Sequence, residues 1–151
     1  MDGVAVLRAL HLLAAVLWVG GMAFAHLALR PAAAGLPGRE RLLLWRRVLA
    51  RFLPVAGASA LVLLATGHLM IPLLYGALAH APLFVHLMLG LGWVMAVLYA
   101  VLVAGPWRRF RAAADAGGEG AAAELARVRA VVTINLVLGV LVVLIAGLRP
   151  A

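Results

Sequence analysis

Four apolar runs, separated by short stretches that hold most of the charge, set the plan of this chain. A hydrocarbon core of about 30 Å needs roughly 20 residues of helix at 1.5 Å per residue. The runs therefore predict membrane-spanning helices over about 4–29, 48–75, 83–104 and 131–148. The first is expected to end at Arg30-Pro31, because proline has no N–H to continue the ladder. After the turn formers Gly35, Pro37 and Gly38, an amphipathic lead-in carries Arg39, Arg41, Arg46, Arg47 and Arg51 into the second span. Pro54 and Pro72 lie near the two ends of that span as candidate kinks. The short, almost uncharged GALAHAP makes the second and third spans antiparallel neighbours, and the third stops at Gly105-Pro106. Residues 30–47 and 106–130 read as basic loops, and no fixed-period repeat is present. The expected fold is all-α, one transmembrane domain over 1–151 built as an antiparallel four-helix bundle.

Composition agrees with the pattern. The 151 residues are 67% hydrophobic and 12% charged, far from soluble proportions. The first apolar run has no basic leader and no obvious cleavage site, so it is expected to be retained as a span. A net charge of +8 comes from arginine alone. In a soluble chain it would suggest nucleic acid, but here no nucleic-acid module is present and the charge reads as topology. Residues 30–51 hold six arginines and one glutamate, and residues 106–129 hold five arginines and three acids. The other side has only Arg8 and Arg149, which puts both termini outside the cytoplasm. Zero cysteines exclude disulfides, thiolate metal sites and covalent c-type haem.

The chemistry-bearing residues are histidines. His11, Trp18 and Met22 fall on one stripe of the first helix, since seven residues at about 100° each return nearly to the same face. His11 lies roughly 10 Å along that helix from Val4 at 1.5 Å per residue. His68 lies seven residues before Tyr75, and His86 about one turn inside the third span. Three imidazoles from three helices are thus expected at one depth in the outer half, with His80 in the loop above and His26 excluded at the far end. Two facing imidazoles in an apolar bundle suit b-type haem. On that reading His11, His68 and His86 are the candidate metal ligands. Gly90 would let a porphyrin approach, Arg8 and Arg149 would pair with propionates, and Trp18 would line the site. Each feature also has a plainer explanation: histidines bonding neighbouring helices, tryptophans as packing or interfacial anchors, Met70 and Met88 as core fillers, and Asn135 with Thr133 as an interhelical hydrogen bond.

The runs HLLAAVLWVGGMAF, RRVLARF and NLVLGVLVVLIAGLR, with Thr66-Gly67, resemble the CopD-like membrane family, itself related to HemJ-type protoporphyrinogen oxidases. The resemblance implies a four-helix bundle in the bacterial inner membrane. In one branch it implies b-haem and porphyrinogen oxidation, in the other copper movement across the membrane. His11 matches the histidine of the family's first helix, and His86 the one that opens the third-helix motif in HemJ-like chains. Their lysine two residues later is Met88 here, which puts oxidase activity in doubt.

Three functions follow from these readings. The foremost expectation is a b-haem protein passing electrons between a quinone, a membrane redox partner or respiratory-complex subunits. A copper-handling protein using His11, His68, His80 and His86 with Met70 and Met88 is the alternative, imidazole and thioether being suited to Cu(I). The third is a structural subunit with no cofactor. In all three the bilayer is the principal partner and nucleic acid is none.

Overall fold

In the computed structural model, which describes residues 2–149, every long element is a helix. The first, α1, runs over Gly3–Ala34. Its start is capped by Asp2, whose Oδ1 accepts from the Val4 N–H at 3.2 Å. It does not end at Pro31, where the sequence predicts its end. A π-helical turn over Ala25–Leu29 comes immediately before the proline. That wider turn relieves the proline ring of the carbonyl four residues back, so the helix continues. A second π-helical turn, Val16–Gly20, interrupts α1 at Trp18.

After a tight turn, α2 spans Gly38–Tyr75, beginning ten residues before the predicted boundary. The amphipathic lead-in is part of the same helix, because Trp45, Leu49 and Leu53 repeat every four residues and bury one face. Pro54 and Pro72 lie inside it. It closes at Gly76, where φ is +75°, with the Gly76 N–H on the Pro72 carbonyl at 3.0 Å. A 3-10 turn, Leu78–His80, leads to α3 over Leu83–Ala104. The chain bends at Gly105 and resumes as α4, Pro106–Asp115, with proline in its first turn. The last helix, α5, covers Ala121–Leu148. The segments expected as loops, 30–47 and 106–130, are therefore mostly helical. Hydropathy marks where the bilayer begins, whereas a helix persists as long as one face is covered. Ala121, Leu125 and Val128 cover that face of α5.

Four of these helices are long and apolar enough to cross a membrane. α2 packs between α1 and α3, α5 lies beside α3, and α1 meets α5 chiefly along Val16–Phe24. Large apolar side chains outside the bundle, such as Leu27, Leu61 and Leu73, are exposed as expected for lipid contact. The core is layered. At the basic end Trp45, Leu49, Leu102, Trp107, Phe110 and Leu125 form its largest cluster. In the middle Trp18, Met22, Ala56, Ala60 and Met95 meet. Towards the termini only Ile71, Ala81 and Val85 form a small cluster between α2 and α3. Among the described residues, α1 outward of Ala14 and α5 outward of Gly139 bury no side chain. The end that carries His11 is thus the more loosely packed one.

Candidate functional site: histidines above a thioether layer

Each of the three histidines expected at one depth has its Nδ1 engaged. His11 is half-buried, with Nδ1 2.8 Å from Thr66 Oγ1, and Oγ1 is 2.6 Å from the Val62 carbonyl. The hydroxyl donates its one proton to that carbonyl, so it accepts from His11 Nδ1–H. The ring packs against Gly67, where a Cβ would lie 3.5 Å from His11 Cε1, an ordinary contact distance. His68 Nδ1 donates to the Leu64 carbonyl at 2.7 Å, and His86 Nδ1 to the Pro82 carbonyl at 3.3 Å. In all three the proton on Nδ1 leaves Nε2 with a free lone pair, the form that binds a soft metal ion.

The three do not converge. Thr66, which receives His11, and His68 are two residues apart on α2, about 200° around the helix. His68 is exposed and stands edge-on to Trp93 of α3, ring centroids 5.9 Å apart and planes at 83°. His86 is exposed on the same stripe of α3 as Gly90 and Trp93. Among the described residues no three His, Asp or Glu side chains form a group that would hold a metal ion. Helix rotation turns His11 and His68 to opposite flanks of α2, and the expectation of b-haem between facing imidazoles is left without support.

The other haem-related expectations change with it. Gly90 opens onto free space, and a Cβ there would touch nothing within 4 Å, so no neighbouring helix approaches closely there. Arg8 and Arg149 are exposed at the terminal end, Arg149 in the left-handed region at φ 46°. Trp18 is buried and packs edge-on against Tyr99 at 6.3 Å, as a core side chain. His80 lies in its exposed turn, and His26 at the basic end.

Further along the bundle from His11, the middle layer holds two buried thioethers, Met22 of α1 and Met95 of α3. One turn of α5 from Gly139, which packs on Met95, lies Asn135. Its Nδ2 donates to the Met95 carbonyl at 3.2 Å, so the interhelical bond expected of this residue is present. Its Oδ1 is buried with no partner. A free acceptor in a desolvated layer is costly, and such a group is retained where something polar or cationic visits it. Thr133 bonds its own helix at the Arg129 carbonyl, 2.8 Å away. Sequence reasoning treated Met22 as a stripe marker and missed Met95, which packing brings to the same layer from α3, a helix that runs the same way as α1. Thr66 was seen only as part of a motif.

No curated protein and no solved structure matches the chain. A family model, copper resistance protein D, matches residues 46–149, from the lead-in of α2 to the end of α5. The match covers more than half of the chain and takes in His68, His86, Met95 and Asn135, with α1 and His11 preceding it. It supports the copper branch of the resemblance and not the oxidase branch. A multi-pass helical membrane protein built this way, the chain belongs to the copper resistance protein D family.

Proposed function

We propose that this protein moves copper through the bacterial inner membrane, taking up Cu(I) at the face that carries the termini. The reading rests on the family to which the chain belongs, and one observation carries it to residues: His11, His68 and His86 all keep Nε2 free at the loosely packed end. Imidazole and thioether are both ligands that Cu(I) accepts. With His11, His68 and His86 as separate one-ligand stations, none holds the ion strongly, and conduction needs sites that bind well enough to load and weakly enough to release. Met22 and Met95 continue the path inward, and the Asn135 carbonyl offers the negative end of a fixed dipole to a cation in the middle of the bilayer. The copper stays Cu(I) throughout, so no electron donor is required. The arginine distribution supports a reading with the basic ends in the cytoplasm and the termini outside.

The test is anaerobic competition for Cu(I) between the detergent-purified protein and a chromophoric chelator, beside His11→Ala, His68→Ala and His86→Ala. Copper is expected to leave the chelator for the wild type, and each variant is expected to weaken that partition without abolishing it. A wild-type protein that leaves all the copper on the chelator sinks the proposal. A single variant that removes all binding would replace the separate stations with one dominant site.

A further inference from the structure

At the basic end a cleft lies between α1, α2 and α5, away from every histidine assigned above to copper. Its enclosed part is small, about 30 Å³. The residues around it divide sharply by type. Arg30 of α1 and Arg129 of α5 supply cations and His26 an imidazole, while Val48 and Phe52 of α2 and Val132 of α5 form an apolar wall over buried Trp45. The charges that act on half-buried Arg129 are those of Arg30 and Arg41, both positive. Of the four acids of this end, Asp115 and Glu124 are engaged elsewhere, and Glu40 and Glu119 form no ion pair among the described residues. Asp115 pairs with Arg46 at 2.5 Å, and Glu124 with Arg109 at 3.1 Å and with Arg127. Among the described residues no carboxylate lies within ion-pair distance of Arg30, Arg41 or Arg129. The π-helical turn Ala25–Leu29 sets the register of α1 at the cleft, and His26 is on it.

Arg30 and Arg129 at the cleft, with Arg41 near enough to act on Arg129, lack the anion that such a cluster needs. We propose that this cleft binds the phosphate of an anionic phospholipid, with the headgroup on Arg30 and Arg129 at the mouth, Arg41 adding positive charge nearby, and an acyl chain along Val48, Phe52 and Val132. The apolar wall favours a lipid over a free anion, because inorganic phosphate would satisfy the cations and leave that wall bare. A basic pocket between membrane helices is the usual form of such a headgroup site.

The experiment is thermal unfolding of the purified full chain in neutral detergent after adding phosphatidylglycerol, phosphatidylcholine or inorganic phosphate. Arg129→Gln and Arg30→Gln are compared with Arg47→Gln, an exposed arginine that does not line the cleft. The wild type and Arg47→Gln are expected to gain several degrees from phosphatidylglycerol alone. Arg129→Gln and Arg30→Gln should unfold like wild type without lipid and lose most of that gain. Equal stabilisation by the two lipids, or an equal loss in Arg47→Gln, would overturn the proposal. A full shift from inorganic phosphate would overturn it in favour of a free-anion site. If Arg129→Gln fails to fold, Arg30→Gln, whose side chain is exposed, decides the matter alone.

Discussion

A threonine decides what the first histidine can do. Thr66 donates its proton to the Val62 carbonyl and so presents only an acceptor to His11, fixing the tautomer that leaves Nε2 available. Thr66→Val removes that acceptor while keeping the shape, so His11 Nδ1–H is left without a partner in an apolar layer. The expected loss is about 1 kcal/mol, in the range of hydrogen bonds between membrane helices. Thr66→Ser restores the acceptor and is expected to recover most of it. Reversible unfolding of both variants in mixed micelles checks the pair, and a Thr66→Val protein as stable as wild type would mean that the bond contributes nothing.

Between helices, close approach is set by glycines that the apolar pattern does not distinguish. Gly57 of α2 lies against the Tyr99 ring of α3, whose hydroxyl donates to the Leu53 carbonyl at 2.7 Å, and a Cβ at Gly57 would overlap that hydroxyl. Gly57→Ala is therefore expected to cost about 1–3 kcal/mol as an overpacking change. Gly90→Ala meets empty space and is expected to be neutral or stabilising by up to about 1 kcal/mol, through helix propensity alone. The same unfolding assay separates them, and equal effects would mean that the α2–α3 approach is wrong. This contrast shows what could be read in advance. Hydropathy located all four spans, since each needs about 20 apolar residues whatever its neighbours. It could not tell Gly57 from Gly90, because helix rotation is set by packing. Nor did it show that α2 starts at Gly38 and α5 at Ala121, where charged residues such as Arg127 and Glu124 share a helix with buried Leu125 and Val128.

Across the whole molecule, packing and chemistry are concentrated at opposite ends. The largest cluster, with Trp107 and Phe110, anchors the basic end, while the terminal end keeps few buried side chains and three histidines with free nitrogens. The spans that carry those histidines were readable from hydropathy, whereas the direction each ring takes around its helix was not, and the haem expectation is left without support. The middle layer of Met22, Met95 and Asn135 joins the two ends, and the path proposed for Cu(I) crosses it. The most direct measurement is Cu(I) entry into sealed vesicles holding the purified protein, beside protein-free vesicles, His11→Ala and the volume-conserving Met22→Leu. The account predicts entry well above the protein-free rate, slowed roughly tenfold by either substitution, equivalent to about 1.4 kcal/mol on the barrier. Entry no faster than through lipid alone would contradict it.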